Sequence, residues 1–416
     1  MIVEPLRRPP DATVRLPGSK SITNRALLAA AMADGISTLT GALSADDTEA
    51  MVDAVRALGA TVDREDATWT VTGTGGVAPA GEAVIDARQA GTVARFVPAV
   101  AAATGATVRV DASPQLRTRP MAHLFDALRD LGAVVEERGQ SGHLPVVVKG
   151  PITGTEIDLP GDASSQFLSG LLLAGPLLPQ GLAIRLTTDL VSRPYAEMTA
   201  AVMAAFGATA EVGHRVCRVA GGGYKAGAYA VEPDASAASY FFAAAAITGG
   251  RVRVEGLGQR SIQGDVAFVD LLADMGASVA VLDGATEVTG GELHGVDVDL
   301  RDLSDTAPTL AVVAALADSP THVRGIGFIR TKESDRIGAV VEELRKCGVD
   351  ASEEADGFVV RPSTLHPAVI DPHDDHRLAM AFALLGLRAP GIEIADAECV
   401  AKTFPTYFDV LESLRR

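Results

Sequence analysis

The chain has 416 residues, of which 47% are hydrophobic and 21% are charged, and its formal net charge is −17. This composition excludes an intrinsically disordered chain, and the length exceeds what one ordinary core supports, so we expect two or more domains. The acidic balance argues against a protein that binds nucleic acid or an anionic membrane surface. An anionic ligand would therefore need a local cluster of cations.

The cysteines and the apolar segments indicate a soluble cytoplasmic protein. Cys217, Cys347 and Cys399 are odd in number and show no CxxC spacing, which predicts neither disulfides nor a zinc ribbon. They are better explained as packing residues than as nucleophiles. The start "MIVEPLRRPPDATV" lacks the apolar region of a signal peptide. The run "FLSGLLLAGPLLP" is too short and too broken by Gly and Pro to span a membrane.

Along the chain, two helical patterns alternate at intervals of about seventy residues. The first is a short amphipathic helix that ends in glycine, as in "AVRALGATV", with these glycines at Gly59, Gly132, Gly207, Gly276 and Gly348. A glycine there predicts a helix C-terminus in the left-handed conformation. The second is a polar turn followed by an Ala/Leu-rich helix, and its six turns contain Lys20, Gly91, Ser164, Ser236, Asp305 and Asp374. Its composition predicts a buried helix.

Short strand-like runs such as "TWTVTG" and "LPVVVKG" separate the helices, so the chain reads as six α/β units. The last unit has no strand after its second helix, and the N-terminal "MIVEPL" is the candidate to fill that place. We therefore predict two pseudo-symmetric domains of three units, one formed by residues 1–14 and 229–416 and the other by 15–228. Crossovers would lie near Arg15 and Ala228, with a ligand in the cleft between the domains.

Polar and charged residues are concentrated where the helices begin. In "LPGSKSITNR", Lys20 and Arg25 add charge to a helix N-terminus, which suggests an anion site. A capped helix with solvated cations explains this stretch equally well, and Ser164 and Asp305 could be simple N-caps. A Walker A loop is excluded because Ser19 precedes the lysine.

The whole set of polar residues favours the functional interpretation. Seven cations occupy corresponding places in separate repeats: Lys20, Arg25, Arg119, Lys332, Arg336, Arg377 and Lys402. Asp305 and Glu333 lie among them as candidate proton carriers. The motif "HDDH", residues 373–376, could be a metal cluster, but its aspartates sit at a helix start and an arginine follows. The residues thus predict a two-domain enzyme that handles two polyanionic small molecules by proton transfer, with no metal and no cofactor.

Several of these motifs, in order from Leu16 to Leu411, resemble the 5-enolpyruvylshikimate-3-phosphate synthase (EPSP synthase) family. They include "LPGSKSITNRALLAAAMADG", "SPQLRTRPM", "ASSQFLSGLLLAGP", "KESDRIGAVVEELRKCG", "DDHRLAMAFALL" and "AKTFPTYFDVL". The resemblance implies two inverse α/β barrels of three βαβαββ repeats each, with the active site in the interdomain cleft. It also implies transfer of the enolpyruvyl group of phosphoenolpyruvate to the 5-hydroxyl of shikimate 3-phosphate, in the shikimate pathway to aromatic amino acids, by a monomeric enzyme.

The resemblance also assigns residues to the two substrates. Those around phosphoenolpyruvate are Lys20, Gly91, Thr92, Arg119, Gln166, Arg336, Arg377 and Lys402. Those around shikimate 3-phosphate are Lys20, Ser21, Arg25, Ser164, Ser165, Gln166, Ser192, Tyr195, Asp305 and Lys332. The implied mechanism is addition followed by elimination. Asp305 takes the hydroxyl proton, and the acid is Glu333 or a nearby lysine, Lys20 or Lys402.

The chain departs from the family pattern at two positions. Gln89 stands where the family has Asn in "NAGT", and Phe328 stands where a substrate-facing Asn is usual. Gly91 is retained at the position where bulkier residues crowd out glyphosate, so we expect inhibition competitive with phosphoenolpyruvate.

Two rival functions are considered. UDP-N-acetylglucosamine enolpyruvyl transferase shares the fold but carries a catalytic cysteine just before the "RP" motif, and "VDASPQLRTRP" contains none. A non-catalytic protein that binds phosphometabolites would have lost proton carriers, and all of them are present.

Overall fold

Six α/β repeats make up the structure, a computed structural model that describes residues 1–415. The chain divides into two units: Gly18–Glu232, here the contiguous unit, and Met1–Pro17 with Pro233–Arg416, here the discontinuous unit. These boundaries lie a few residues beyond the crossovers expected near Arg15 and Ala228.

The contiguous unit contains three repeats. The first comprises α1 (Lys20–Met32), β3 (Ala33–Asp34), β4 (Ile36–Thr40), α2 (Asp46–Ala57), β5 (Thr61–Glu65) and β6 (Thr68–Thr72). The second comprises β7 (Glu82–Asp86), α3 (Gly91–Thr104), β8 (Thr107–Asp111), α4 (Pro114–Arg117), α5 (Ala122–Asp130), β9 (Val134–Glu137) and β10 (Val146–Lys149). The third comprises β11 (Glu156–Leu159), α6 (Ser165–Ala174), β12 (Leu182–Leu186), α7 (Arg193–Ala205), β13 (Ala210–Val212) and β14 (Val216–Val219), before β15 (Tyr224–Lys225) and β16 (Ala228–Ala230).

The discontinuous unit begins with β1 (Ile2–Val3) and β2 (Asp11–Val14) and resumes after the contiguous unit. Its next elements are α8 (Ala235–Thr248), β17 (Arg251–Glu255), α9 (Phe268–Asp274), β18 (Ser278–Val281) and β19 (Ala285–Thr289). They are followed by β20 (Asp297–Asp299), α10 (Ala307–Ala314), β21 (Thr321–Arg324), α11 (Arg336–Lys346), β22 (Asp350–Glu354) and β23 (Gly357–Arg361). The last are β24 (Ala368–Ile370), α12 (His376–Gly386), β25 (Ile392–Ile394) and α13 (Tyr407–Ser413).

Five of the six repeats form a four-stranded sheet with the same strand order, and the last repeat forms a three-stranded sheet. In the second repeat the order is β7-β8-β10-β9, with β7 parallel to β8 and the other neighbours antiparallel. In two sheets the first strand comes from a distant part of the same unit, because β16 pairs with β4 and β2 pairs with β17. In the last repeat β1 pairs with β25, so the N-terminal strand occupies the place of the strand that this repeat lacks.

The two helix types differ in burial as the sequence predicts. The Ala/Leu-rich helices α1, α3, α6, α8, α10 and α12 are buried along nearly their whole length. Helices such as α5 and α11 bury one face only. A helix that is apolar all round gains from complete burial, whereas an amphipathic helix covers a core and keeps its polar face in water.

The glycines that end the amphipathic helices have the predicted left-handed backbone. The φ angles are +101° at Gly59, +97° at Gly132, +74° at Gly207, +111° at Gly276 and +81° at Gly348. An added side chain would strain each of these turns. Within residues 1–415, the helices are all too short or too polar to cross a lipid bilayer.

Candidate active site

In the contiguous unit, α1 begins with a cation. Ser19 caps the helix by accepting a hydrogen bond from the Ile22 amide at 3.4 Å, and Lys20 is the first helical residue. A lysine there opposes the helix dipole, so its position is unfavourable unless an anion is near. The Asp47 carboxylate, which is almost fully buried at the start of α2, lies 3.2 Å from the Lys20 ammonium.

Arg25, one turn further along α1, is buried and is held by hydroxyl and carbonyl groups. Its Nε donates to Thr199 at 2.7 Å, its Nη1 to the Ser21 carbonyl at 2.9 Å and its Nη2 to the Tyr195 carbonyl at 3.3 Å. Among residues 1–415, Arg25 forms an ion pair with no carboxylate. Burial lowers the pKa of Arg25 to about 10. A buried cation without a counter-charge is a favourable partner for a phosphate.

Gly91, the first residue of α3, marks a place where three polar side chains approach one another. A Cβ at Gly91 would lie 2.9 Å from Arg95 Nη1 and 3.3 Å from both Arg119 Nη1 and Gln166 Oε1. Arg95 and Arg119 are both buried. The structure therefore brings Gly91, Arg119 and Gln166 together, as the sequence predicts, and leaves room only for a hydrogen atom on Gly91.

Hydroxyl groups complete this cluster. Thr92 accepts a hydrogen bond from Asn24 at 2.7 Å, which links α1 to α3. Ser164 caps α6 by accepting from the Gln166 amide at 3.3 Å, so it is an N-cap whatever else it binds. Ser165 is buried as the first residue of α6, and Ser192 precedes α7 with a left-handed φ of +52°.

In the discontinuous unit, Asp305 lies between two arginines. Its Oδ1 accepts from Arg336 Nη1 at 3.0 Å, and its Oδ2 accepts from Arg377 Nη2 at 2.6 Å. Arg336 is the first residue of α11 and Arg377 the second of α12, so both guanidinium groups stand at positive helix ends. Arg336 Nη2 also donates to Glu333 at 2.7 Å. Both predicted proton carriers thus contact Arg336.

The charges around Asp305 decide its ionisation. Burial by itself would raise the pKa of Asp305, but the positive charges of Arg377, Arg336 and Lys332 outweigh burial and hold the pKa well below its usual range. Asp305 is therefore ionised at neutral pH in the absence of substrate. It is also a weak base as long as both arginines remain paired with it.

Asp375 is a third carboxylate in this cluster, and it is fully buried. It caps α12 by accepting from the Arg377 amide at 3.0 Å, and it accepts from Arg336 Nε at 2.7 Å. Next to it, His376 is buried, and burial together with the charges of Arg377 and Lys402 holds its pKa well below the ordinary value. The "HDDH" residues therefore have different partners: Asp375 binds Arg336, whereas His373 contacts Glu343.

Two further lysines belong to the discontinuous unit. Lys402 is buried at the end of the 3₁₀ turn Ala397–Lys402. The Lys332 ammonium lies 5.7 Å from the centre of the Phe328 ring, within range of a cation–π interaction. Phe328, one of the two departures from the family pattern, therefore contacts a predicted substrate-binding residue.

Within the two clusters, sequence reasoning misses three buried charged residues: Asp47, Arg95 and Asp375. Arg95 has a signal in the sequence, because it is a single cation inside the otherwise apolar helix α3. The sequence around Asp375 indicates only a helix start, and nothing near Asp47 in the sequence points to Lys20. The contacts of Asp47 and Asp375 join residues that are far apart along the chain.

Comparison with known proteins identifies the family. The EPSP synthase (3-phosphoshikimate 1-carboxyvinyltransferase) family model matches residues 7–411. A 3-phosphoshikimate 1-carboxyvinyltransferase of Trichormus variabilis is 46% identical over 409 residues, covering 97% of this chain and 96% of the relative. That of Thiobacillus denitrificans is 44% identical over 423 residues, covering 99% of both chains.

Solved structures agree. An EPSP synthase from Acinetobacter baumannii superposes with a TM-score of 0.85 at 27% identity, covering 99% of this chain and 97% of that one. The enolpyruvyl transferase NikO from Streptomyces tendae, at 20% identity and a TM-score of 0.79, covers 99% of this chain and 96% of its own and shares the fold. The fold is thus the enolpyruvyl transferase fold, and the chain belongs to the EPSP synthase family.

Proposed function

We propose that the two clusters of helix-start residues carry out the EPSP synthase reaction. The chain is an enzyme of the shikimate pathway that transfers the enolpyruvyl group of phosphoenolpyruvate to the 5-hydroxyl of shikimate 3-phosphate and releases phosphate. The family match favours this acceptor over UDP-N-acetylglucosamine. One structural observation supports the assignment of residues: Arg25 is buried among hydroxyl and carbonyl groups and, within residues 1–415, forms an ion pair with no carboxylate, so an incoming phosphate can supply its counter-charge.

In this proposal the contiguous unit binds shikimate 3-phosphate. The buried and uncompensated charge of Arg25 attracts the phosphate, and the neighbouring hydroxyl groups donate hydrogen bonds to it. Its further partners would be Lys20, Ser21, Ser164, Ser165, Gln166, Ser192 and Tyr195 from this unit, and Lys332 and Asp305 from the other.

Phosphoenolpyruvate would be held by cations of both units. Arg119, with Lys20, Gly91, Thr92 and Gln166, belongs to the contiguous unit, and Arg336, Arg377 and Lys402 belong to the discontinuous unit. Guanidinium groups suit a carboxylate because they donate two parallel hydrogen bonds. The proposal requires residues of both clusters to reach the same pair of substrates in the complex, where exclusion of water would protect the intermediate.

Substrate binding would also make Asp305 a better base. When the carboxylate of phosphoenolpyruvate takes hydrogen bonds from Arg336 and Arg377, these guanidinium groups are shared, and their stabilisation of ionised Asp305 weakens. The pKa of Asp305 then rises from its low value, which favours removal of the 5-hydroxyl proton. Glu333, beside Arg336, or a lysine, Lys20 or Lys402, would protonate the methylene carbon, and loss of phosphate with a methyl proton completes the reaction.

The same geometry predicts sensitivity to glyphosate, because Gly91 carries no side chain that would crowd Arg95, Arg119 and Gln166 or a ligand bound among them. We expect inhibition competitive with phosphoenolpyruvate in steady-state assays. Gly91→Ala would place a methyl group 2.9 Å from Arg95 Nη1 and should weaken glyphosate about tenfold or more by steric exclusion. Gly227→Ala, with nothing within 4 Å of the added Cβ, is the matched control. Uncompetitive inhibition, or indifference at millimolar glyphosate, would contradict the assignment.

The test of the function is phosphate release from phosphoenolpyruvate under metal-free conditions, with shikimate 3-phosphate or UDP-N-acetylglucosamine as acceptor. We expect release with shikimate 3-phosphate alone, and release with only the sugar nucleotide would overturn the proposal. We also propose that the enzyme acts as a monomer in the cytoplasm, as the family resemblance implies; a single sedimenting species of 42.9 kDa would support the first point.

A further inference from the structure

Glu343 is a fully buried carboxylate that the mechanism above does not use. It lies on α11, and its Oε1 accepts hydrogen bonds from Lys346 Nζ at 2.7 Å and from His373 Nε2 at 2.9 Å. Its Oε2 accepts from the Asp371 amide at 3.1 Å. Glu342, Glu343 and His373 together resemble a metal-ligand set, but the Lys346 ammonium lies where a cation would bind, so we infer no metal.

Two of these donors belong to the segment 371–375, here called the pre-α12 loop, which joins β24 to α12. The loop contains two consecutive non-glycine residues with left-handed backbone, His373 at φ +53° and Asp374 at φ +56°. Each such residue is strained, because a Cβ in the left-handed region crowds the neighbouring backbone. The loop therefore needs contacts that hold it, and Glu343 supplies two of them.

The other end of the loop is held by Arg336. Asp375, the last residue of the loop, accepts hydrogen bonds from Arg336 and from the Arg377 amide, and so fixes the start of α12. Arg336 and Glu343 are seven residues apart, which places them on the same face of α11, about two turns from each other. One helix face therefore contacts both ends of a strained loop, and Arg377 is the second residue after that loop.

We propose that Glu343 and His373 are positioning residues that hold the pre-α12 loop so that Arg336 and Arg377 are correctly placed for phosphoenolpyruvate. The proposal rests on the substrate roles of Arg336 and Arg377 proposed above. Without the His373–Glu343 hydrogen bond, the left-handed residues relax, Asp375 shifts, and both guanidinium groups lose their fixed orientation. Binding of shikimate 3-phosphate through Arg25 in the other unit stays unchanged.

The test uses His373, because its side chain is 29% exposed, whereas replacing the fully buried Glu343 would endanger the fold. In His373→Ala we expect the KM for phosphoenolpyruvate to rise about tenfold, the effect of losing a hydrogen bond to a charged group, with the Kd of shikimate 3-phosphate unchanged. His373→Gln should restore the KM to within about twofold, since an amide N–H can donate to Glu343 from a similar position.

The matched control is His322, whose Nε2 lies 2.8 Å from Glu354 Oε2 in an exposed pair of the same unit. His322→Ala should change neither constant. Hydrogen exchange measured on the ligand-free proteins gives a readout that needs no turnover: the amides of residues 371 and 373–377 should lose protection in His373→Ala and keep it in His322→Ala.

The outcomes separate this inference from the proposed function. Faster exchange together with a raised KM, both reversed in His373→Gln, supports positioning. Faster exchange with an unchanged KM, or unchanged exchange with any KM, overturns it. If the wild-type protein transfers no enolpyruvyl group, the proposed function fails. Unchanged hydrogen exchange in His373→Ala would, independently of that result, contradict the proposal that His373 stabilises the pre-α12 loop.

Discussion

The two clusters of cations compensate their charge in different ways. In the contiguous unit, Asp47 pairs with Lys20, and Arg25 is surrounded by neutral hydroxyl and carbonyl groups. In the discontinuous unit, Lys332, Arg336, Arg377 and Lys402 are accompanied by three carboxylates, Asp305, Glu333 and Asp375.

We propose that this difference separates phosphate binding from proton transfer. A cluster with little internal compensation offers its charge directly to an incoming phosphate. A compensated cluster must exchange internal ion pairs for substrate contacts, and that exchange changes the basicity of its carboxylates. We therefore expect loss of Arg25 to reduce mainly affinity and loss of the carboxylate of Asp305 to reduce mainly turnover, and the first two of the following predictions test that division.

The largest effect is expected at Asp305. Asp305→Ala removes the proposed proton acceptor, and we expect kcat to fall about 10³-fold while the Kd of shikimate 3-phosphate changes less than tenfold. Phosphate release and calorimetric titration measure the two quantities. Asp299→Asn, a change in an exposed carboxylate of the same unit, is the control and should change neither kcat nor the Kd of shikimate 3-phosphate. Full turnover with loss of binding would reverse the assigned roles.

Arg25 should show the opposite pattern. Arg25→Lys keeps a charge but loses the guanidinium geometry, and Arg25→Ala removes both, so we expect the Kd of shikimate 3-phosphate to rise about 10- to 100-fold. At saturating substrate kcat should fall much less. Arg185→Ala, which removes an exposed arginine paired with Asp158, controls for loss of net charge. If kcat collapsed while Kd held, the division between the clusters would be wrong.

The discontinuous cluster should also make stability depend on pH through His376. Its pKa is depressed in the folded protein, whereas the unfolded chain takes up a proton as the pH falls below about 6.5. The unfolded state then binds more protons, so this group lowers the free energy of unfolding by about 1.4 kcal/mol for each pH unit below that value. The free energy of unfolding, measured by urea denaturation at several pH values between 7 and 5, should fall less steeply with decreasing pH in His376→Gln than in wild type. Equal slopes in the two proteins would show that His376 is not kept neutral by the fold.

The smallest effect is expected at Phe328. Phe328→Leu keeps an apolar side chain but removes the ring under Lys332, a cation–π contact of about 0.5–1 kcal/mol. We expect the Kd of shikimate 3-phosphate to rise about two- to fivefold with kcat unchanged. Phe358→Leu, a change of a fully buried ring in the same unit, separates loss of packing from loss of the contact with lysine. Equal Kd values for the Phe328 and Phe358 variants would show that the contact between the Phe328 ring and Lys332 does not contribute to binding.

The sequence by itself determined the repeat pattern, the two helix types and the cations at the helix starts. These features are local: hydrophobic periodicity decides whether a helix is buried all round, and a glycine near Gly59 or Gly348 ends a helix through its own backbone freedom. The position of Lys20, Arg336 and Arg377 at helix N-termini is likewise set within a few residues.

Only the tertiary structure decided which charges compensate one another. Asp47 reaches Lys20 from another helix, and Asp305 and Asp375 share Arg336 although they lie far apart in the chain. The hydrogen bond between buried Glu343 and partly exposed His373 also joins distant segments. Such pairs form because burial makes an unpaired charge costly, and the partner is chosen by how the repeats pack. The seven cations, with Asp305 and Glu333 among them, were therefore visible in the sequence, while the pairing of each carboxylate with its cation required the fold.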